Sequence, residues 1–376
     1  MRSTARIDLD AIRHNVEVLK DRAGDALVMA VVKADGYGHG LVPSARAAVG
    51  GGAGWLGVAF LEEAMALRAA GLDVPVLAWL FSSEEDLAPA VAAQIDLGVY
   101  SVAELARAQE AAQRTGVVAR VQLKADTGLS RGGAVTADWP DLCEAAAKAE
   151  AEGNLTVTGL WSHFAFADGG PDHPVNNRQA AVFAEALEVA AGKGLRPEVR
   201  HLANSAATLT APATHYDLVR PGLAVYGLSP VPQLGSPRDF GLRPAMTLRS
   251  TVVLTKRVPA GSGVSYLHRY TTSAESTLAL VPLGYGDGVP RAATNAGQVL
   301  LRGSRRTIAG IVAMDQFVLD LGDDPVEVGD EVVLFGPGDD GEPTAQEWAE
   351  AVGTIDYEIV TRVGGRVPRE YVGVDA

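Results

Sequence analysis

An alternation between short apolar runs and Ala-rich segments is the feature that most constrains the fold of this chain. The Ala-rich segments repeat apolar residues at steps of three and four, which is typical of helices. Continuously apolar strands separated by helices predict a parallel sheet buried on both faces. Eight such strands favour a closed eight-stranded β/α barrel over an open doubly wound sheet, although the pattern is compatible with both. The runs lie at residues 27–32, 55–59, 74–80, 95–99, 119–124, 157–161, 199–202 and 218–219.

The pattern changes near residue 235, after a Gly- and Pro-rich stretch at 229–237. Strand-like runs separated by turn residues follow, which predicts a second, mainly β domain. The predicted strands lie at 247–256, 277–281, 298–301, 307–312, 317–321 and 331–335, with one helix at 344–352. We therefore expect a barrel domain at 11–235 and a mainly β C-terminal domain at 236–376, with residues 1–10 as an N-terminal strand that is able to join the second domain.

Composition excludes several classes of function. The formal net charge of −14 argues against a nucleic-acid partner, which requires a basic patch. No apolar run in the 376 residues approaches the length of a membrane span, and the start of the chain does not resemble a signal peptide. Cys143, the single cysteine, cannot form an internal disulfide, which favours a reducing cytoplasm. We predict no metal site.

Lys33 is the first candidate for chemistry, because it directly follows an apolar strand and precedes a Gly-rich turn. A lysine at such a strand end is partly desolvated, which lowers the pKa of its amine and makes it a nucleophile toward carbonyl groups. Functional residues of a β/α barrel collect at the C-terminal ends of the strands. The polar residues that follow other predicted strands are Lys124, Asp126, His163, Asn204, Ser205 and Arg220.

The segment at 32–40, Val-Lys-Ala-Asp-Gly-Tyr-Gly-His-Gly, closely resembles the cofactor-lysine motif of the alanine racemase family. The resemblance continues through both predicted domains, with its motifs in order and plausibly spaced. Further segments similar to that family lie at 124–131, 161–165, 219–227, 263–266, 284–291, 313–315 and 356–358. The family resemblance also implies a barrel followed by a β domain.

The resemblance implies pyridoxal 5'-phosphate as the cofactor, held by Lys33 as a Schiff base. Racemisation moves protons on both faces of a planar carbon, so two bases are expected. By resemblance these are Lys33 on the D-face and Tyr266 on the L-face, with Tyr266 supplied by the partner subunit of a homodimer with shared active sites. Arg220 would face the pyridine nitrogen, where an always charged donor leaves that nitrogen unprotonated. His163 would lie beside Arg220.

The remaining roles also come from the resemblance. Arg131 and the backbone of Met314 would bind the substrate carboxylate, and Lys124 is a candidate for carbamylation. The entrance residues would be Asp168, Tyr285, Arg291 and Ile355. The full set of implied cofactor contacts is Lys33, Tyr37, Trp79, His163, Asn204, Ser205, Arg220, Gly222, Leu223 and Tyr357.

The function implied is interconversion of L-alanine and D-alanine, which supplies D-alanine for peptidoglycan. One alternative is a decarboxylase of related fold, but such enzymes use an acidic residue at the pyridine nitrogen and a partner-chain cysteine. Here Arg220 stands at the first position, and Cys143 lies on a predicted helix. A racemase for serine or for a broad range of amino acids stays open. A non-enzymatic cofactor carrier would leave the second domain and Tyr266 unexplained.

Overall fold

The structure is a computed structural model in which residues 2–374 are described. Contacts divide them into two compact units. The barrel unit comprises residues 12–36 and 44–242, and the C-terminal unit comprises residues 2–11, 37–43 and 243–374. Among the described residues, no helix combines the length and apolar character that crossing a membrane requires.

The chain begins with strand β1 (Ser3–Asp8) and helix α1 (Leu9–Ala23). Within residues 2–374, eight parallel strands form the barrel sheet in the order β8-β7-β6-β5-β4-β3-β2-β9. The edges β8 and β9 are joined by two hydrogen bonds, from the Asp217 N–H to the Arg200 carbonyl and from the Arg220 N–H to the Ala203 carbonyl. The strands are β2 (Leu27–Val31), β3 (Trp55–Val58), β4 (Val76–Ala78), β5 (Asp96–Val99), β6 (Ala119–Lys124), β7 (Leu155–Trp161), β8 (Val199–His201) and β9 (Leu218–Val219).

Helices lie between the barrel strands, as the three- and four-residue spacing predicted. They are α2 (Leu41–Gly50), α3 (Leu61–Ala69), α4 (Ala88–Ala92), α5 (Val102–Thr115), α6 (Trp139–Ala151), α7 (Pro174–Gly192) and α8 (Ser205–Thr210). The barrel interior holds a buried cluster that contains Met29, Trp55 and Trp161. Glycine makes room for large interior side chains, because a Cβ on Gly98 would lie 3.0 Å from the Cβ of Trp79.

The C-terminal unit is mainly β. One sheet has the order β16-β15-β18-β10-β1-β19, and smaller sheets contain β11-β14-β17 and β12-β13. Strand β1 pairs antiparallel with β10 and parallel with β19. The remaining elements of this unit are β10 (Met246–Thr251), β11 (Leu254–Val258), β12 (Gly263–Val264), β13 (Tyr270–Thr271), β14 (Ser276–Val281), β15 (Gln298–Leu301), β16 (Ser304–Thr307), β17 (Phe317–Asp320), β18 (Glu331–Phe335), α9 (Ala345–Val352), α10 (Asp356–Thr361) and β19 (Arg369–Val372).

The predicted fold class, an eight-stranded β/α barrel followed by a mainly β domain, is confirmed. Two strand predictions in the second domain are wrong. Residues 247–256 form parts of β10 and β11, which belong to different sheets, and not one strand. Only Thr307 of residues 307–312 lies in a strand, as the last residue of β16, because Gly310 has a φ of 81° and turns the chain.

Candidate active site

Lys33 lies two residues after the end of β2, at the C-terminal end of the barrel strands. Its side chain is half-buried, and its Nζ lies 5.9 Å from the ring centroid of Trp79. Burial lowers the pKa of Lys33, and the positive charge of Arg131 lowers it further, whereas the Glu63 carboxylate acts in the opposite direction. A lysine amine with a lowered pKa spends more time neutral, and the neutral form is the nucleophile.

The turn after Lys33 has an unusual backbone. Ala34, Asp35 and Gly36 have φ values of 53°, 53° and 61°, in the left-handed region that disfavours residues with a Cβ. The Glu63 carboxylate accepts hydrogen bonds from the backbone N–H groups of Ala34 at 2.6 Å, Ala59 at 3.0 Å and Phe60 at 3.1 Å. Glu63 therefore ties the Lys33 turn to the loop that follows β3.

Lys124 ends β6 and is only 5% exposed. Its Nζ lies over two rings, 4.7 Å from the centroid of Trp161 and 5.0 Å from that of Tyr100. Burial, followed by the charges of Arg131 and Arg220, lowers the pKa of Lys124 to about 8. A substantial part of this amine is therefore neutral near physiological pH.

The loop after β6 places Arg131 beside this lysine. Asp126 shapes the loop, because its Oδ1 accepts hydrogen bonds from the N–H groups of Gly128 at 2.9 Å, Leu129 at 3.0 Å and Ser130 at 3.1 Å. The guanidinium of Arg131 is exposed, and its charge lowers the pKa of both Lys33 and Lys124. An exposed fork of donors in a cationic region suits a carboxylate ligand.

Arg220 directly follows β9 and is 5% exposed. It donates hydrogen bonds to the Ser162 carbonyl at 2.6 Å, His201 Nδ1 at 2.9 Å, the Leu202 carbonyl at 3.2 Å and His163 Nδ1 at 3.3 Å. Burial lowers the pKa of Arg220 to about 9, so the guanidinium stays charged at neutral pH. Within residues 2–374, no carboxylate is hydrogen-bonded to it.

His163 is neutral in this environment. Burial lowers its pKa well below the usual range, and the positive charges of Arg220, Arg131, Lys124 and Lys33 lower it further. With one proton on the ring, Nδ1 can accept the bond from Arg220 while Nε2 keeps its proton. His163 thus supports the guanidinium without adding a second positive charge.

Ser205 and Asn204 lie at the start of α8, next to the segment that follows Arg220. Ser205 Oγ accepts hydrogen bonds from the N–H groups of Gly222 at 2.8 Å and Ala224 at 3.3 Å, and Asn204 Oδ1 accepts from the Ala207 N–H at 3.1 Å. Leu223 begins the short turn after Gly222. Ser205 and Asn204 thus fix the backbone on both sides of this turn, and the Ser205 hydroxyl at the start of a helix is a donor that suits a phosphate.

Asp168 also belongs to the barrel unit, where it lies in a short turn at Ala167–Gly169 and is exposed. The other predicted residues lie in the C-terminal unit. Tyr37 and Tyr357 pack there with their ring centroids 6.2 Å apart. Arg291 is exposed in a short turn, Arg291–Ala293.

Tyr266 lies on a short turn after β12 and is 69% exposed. The preceding Ser265 donates a hydrogen bond to the Ile311 carbonyl at 2.7 Å, and Leu267 has a φ of 59°. These contacts present the phenol outward from its own unit. Other exposed side chains of this unit are those of Leu267, Tyr285, Met314 and Ile355.

Comparison with known proteins decides the family. The family model described as alanine racemase, N-terminal domain, matches residues 7–230, and that described as alanine racemase, C-terminal domain, matches residues 245–371. The chain belongs to the alanine racemase family. It is 64% identical to the alanine racemase of Frankia casuarinae over 372 residues, which cover 99% of this chain and 97% of that protein.

Solved structures of this family of isomerases match the fold closely. Alanine racemase from the D-cycloserine-producing Streptomyces lavendulae superposes with a TM-score of 0.98 at 55% identity, and the match covers 100% of this chain and 98% of that one. Alanine racemase from Streptomyces coelicolor A3(2) also gives a TM-score of 0.98, at 58% identity, with 99% and 98% covered. The resemblance stated from the sequence motifs is confirmed.

Sequence reasoning missed three residues of the barrel unit that support the site. Glu63 holds the Lys33 turn, His201 is a direct partner of Arg220, and Gln122 is hydrogen-bonded in turn to His201 at 2.7 Å. His201 and Gln122 are fully buried within the predicted strands. A polar residue inside an otherwise apolar strand was the signal available for both.

Proposed function

We propose that this chain interconverts L-alanine and D-alanine with pyridoxal 5'-phosphate as its cofactor. The observation that carries this proposal is the half-buried Lys33 amine, whose pKa is lowered, at the strand end next to the cationic groups Lys124, Arg131 and Arg220. The site thus pairs an amine that can react with an aldehyde with groups that attract a phosphate and a carboxylate. Membership in the alanine racemase family supports the same choice.

The donor set fits pyridoxal phosphate. Lys33 would hold its aldehyde carbon covalently, and Arg220 would donate to its ring nitrogen. Asn204, Ser205 and the N–H groups of Gly222 and Leu223 would hold the phosphate. The remaining proposed contacts come from Tyr37, Trp79, His163 and Tyr357. When bound, the cofactor withdraws electrons from the substrate α carbon, so that a proton can leave it.

The protein groups would then move that proton. Lys33 Nζ takes it from D-alanine, and the Oη of the partner subunit's Tyr266 takes it from L-alanine. In each direction of the reaction, the second of these two groups then gives a proton to the opposite face of the substrate α carbon. Arg131 binds the substrate carboxylate through its planar fork of donors, with the backbone of the partner subunit's Met314 as a further contact.

We propose a homodimer with shared active sites, and the 69% exposure of Tyr266 supports it. A groove beside this tyrosine is lined in part by Leu254, an apolar residue that is 49% exposed. Exposed apolar surface next to a polar group marks an interaction site more often than a solvated face. A second copy of this chain would cover the groove and bring each Tyr266 to the other copy's Lys33.

Lys124 is proposed to carry a carbamate. Burial, followed by the repulsion of its ammonium form by Arg131 and Arg220, lowers the pKa of Lys124 to about 8. The ammonium first loses a proton, and addition of carbon dioxide to the neutral amine then forms an N–C bond and releases a second proton, which leaves an anion that the two arginines attract. The carbamate would hold Arg131 in place for the substrate carboxylate.

The entrance would be formed by Tyr285, Arg291 and Ile355 together with Asp168, which narrows access in favour of small amino acids. D-alanine made in the cytoplasm would supply peptidoglycan synthesis. The decarboxylase alternative is disfavoured because Cys143 is fully buried on α6, and burial raises the pKa of its thiol to about 12. A thiol in that state is a poor catalyst.

A substrate screen with optical and carbon dioxide readouts tests the proposal. L-alanine, D-alanine, L-serine and ornithine are offered to the purified protein, and we expect inversion of both alanine enantiomers to one equilibrium mixture. Borohydride reduction followed by peptide mass spectrometry should locate the cofactor on Lys33. Carbon dioxide release without inversion, or a label on another lysine, would refute the assignment, and faster turnover of serine would change the substrate.

A further inference from the structure

A line of buried polar side chains crosses the barrel interior below Arg220. His201 Nδ1 lies 2.9 Å from Arg220 Nη1, His201 Nε2 lies 2.7 Å from Gln122 Oε1, and Gln122 Nε2 lies 3.2 Å from Asp96 Oδ1. Asp96, Gln122 and His201 are 0% exposed. Polar groups buried in an apolar barrel are tolerated only when they are hydrogen-bonded, and each of these three has a partner on both sides.

The direction of these hydrogen bonds is set at both ends of the line. Arg220 can only donate, so His201 Nδ1 must accept and the ring proton must sit on Nε2. Burial and the charge of Arg220 hold the pKa of His201 well below its usual range, so the ring carries a single proton. At the far end, an ionised Asp96 can only accept, which turns the Gln122 amide so that its oxygen faces His201.

Asp96 opens β5, at the opposite end of the barrel strands from Arg220. Arg120 Nε donates to Asp96 Oδ2 at 3.0 Å, and the Thr158 hydroxyl donates to Oδ1. Burial raises the pKa of Asp96, while the charge of Arg120 and the hydrogen bonds oppose that effect. Arg120 is bonded in turn to the exposed Glu198, so the line ends in an ion pair at the rim.

The barrel is shaped to hold this line. A Cβ on Gly159, in the neighbouring strand β7, would lie 2.6 Å from Gln122 Oε1. The ring of His201 is stacked on Trp161 at 5.7 Å between centroids with an interplanar angle of 3°. Because these contacts hold Gln122 and His201 in one orientation, they also keep the direction of the hydrogen bonds that the two side chains make.

An ion pair between Asp96 and Arg120 needs neither Gln122 nor His201. Apolar side chains of similar size in those two positions would avoid the desolvation of the polar groups. What the line adds is a connection from a carboxylate to Arg220, which has no bonded carboxylate of its own among the described residues. Hydrogen bonds that all point the same way polarise one another, so the guanidinium is linked to a remote negative charge.

We propose that Asp96, Gln122 and His201 are positioning residues that hold Arg220 as a charged and fixed donor. His201 accepts from Nη1 of Arg220 and donates along the line, and the remaining N–H groups of Arg220 are left to point at the cofactor's ring nitrogen. The role of the line toward Arg220 stands on the contacts above, and its role toward the cofactor rests on the proposed function.

The tautomer of His201 is the first test. Long-range proton–nitrogen NMR of the full-length protein labelled in its seven histidines, with the His201 signals assigned from a His201→Asn variant, reports which ring nitrogen is protonated. We expect a neutral ring with the proton on Nε2. A proton on Nδ1, or a rapid mixture of the two tautomers, would overturn the proposal. This measurement is made on the parent protein, in which no residue of the line is substituted.

A charge swap is the second test. In Asp96→Asn, the new amide can donate to Gln122, so the hydrogen-bond direction is no longer set. We expect the dissociation constant for pyridoxal phosphate, measured by titration, to rise about tenfold, as for the loss of one hydrogen bond to a charged group. In Asp96→Asn with Gln122→Glu, the carboxylate moves one position and again accepts from His201 Nε2. We expect cofactor binding to return.

The swap separates direction from stability. Both variants contain the Asp96→Asn substitution, so any general weakening of the barrel is common to them. If Asp96 acts only as a partner of Arg120, the double variant should bind pyridoxal phosphate no more tightly than the single variant. That outcome would overturn the proposal. Glu198→Gln, which breaks the rim ion pair alone, is the matched control and should leave the dissociation constant unchanged.

The proposed function and the role of the line fail in different experiments. If the parent protein does not bind pyridoxal phosphate, or binds it away from Lys33, the proposed function is wrong, whereas the His201 tautomer still tests the line itself. If the parent binds the cofactor on Lys33 but its His201 carries the proton on Nδ1, the proposed function stands and the inference is wrong.

Discussion

Replacement of Glu63 by glutamine is expected to destabilise the turn that carries Lys33 by about 2 kcal/mol. Glu63 Oε1 accepts from the Ala34 N–H at 2.6 Å, and Oε2 accepts from Ala59 at 3.0 Å and Phe60 at 3.1 Å. Glutamine has one oxygen, so its NH2 must face at least one of these N–H groups. A hydrogen bond to a charged group contributes roughly 1.5–3 kcal/mol and a neutral one roughly 0.5–1.5, so losing the charge and one acceptor gives the expected value.

Glu62→Gln is the matched control. Glu62 lies in the same first turn of α3 and is exposed, and its replacement removes the same charge from the helix N-terminus. Its loss should cost only about 0.3–1 kcal/mol, through the helix dipole. Urea unfolding followed by tryptophan fluorescence measures both, since Trp55, Trp79, Trp139 and Trp161 all lie in the barrel unit.

The same pair of variants tests the electrostatics at Lys33. The Glu63 carboxylate raises the pKa of Lys33 against burial and Arg131, so Glu63→Gln should lower it further. The pH dependence of the rate at which pyridoxal phosphate attaches to Lys33 reports this shift. Equal stability losses in the two variants, together with an unchanged pH profile, would refute the role given to Glu63.

Three further predictions concern other parts of the protein. Tyr266→Phe should strongly reduce racemisation in both directions while the cofactor stays bound, measured by optical assay and absorbance; full activity would contradict a two-base scheme. Carbamylation of Lys124, followed by NMR with 13C-labelled bicarbonate, should rise as the pH passes upward through about 8, because only the neutral amine reacts; a signal that persists in Lys124→Ala would assign it elsewhere. Gly159→Ala should destabilise the barrel by about 1–3 kcal/mol through its clash with Gln122 Oε1, and an unchanged urea midpoint would show that the side chain can move aside.

The barrel could be predicted from sequence because both of its signals are local. Each strand is continuously apolar, and each following helix shows its own spacing, so neither depends on knowing the neighbour. The second domain lacks that property. Residues 247–256 form a strand-like run, yet the chain leaves one sheet after Thr251 and joins another at Leu254. The choice of partner strand is a long-range matter that alternation does not encode.

The site could be predicted where its residues belong to motifs at strand ends, and not where they lie inside strands. Lys33, Lys124 and Arg220 end or follow apolar runs, and such a position predicts chemistry. Gln122 and His201 interrupt apolar runs, and a single polar residue there is compatible with an ordinary satisfied core position. Only the bonded contacts show that the two belong to one line that reaches Arg220.

The candidate site is positively charged, whereas the chain as a whole carries a negative net charge. The net charge of the chain is −14, yet the positive charges of Lys33, Lys124, Arg131 and Arg220 all act on His163. Arg131 lowers the pKa of both lysines and of His163, so these groups share one positive field. An incoming phosphate or carboxylate relieves that repulsion, and it should therefore raise the pKa of the lysines that it approaches. The line from Arg220 ends at Asp96, whose carboxylate is paired with Arg120 at the other end of the barrel strands and so does not compete for the ligand position. Such an arrangement holds the guanidinium in place while leaving the ligand side of the site open to anions.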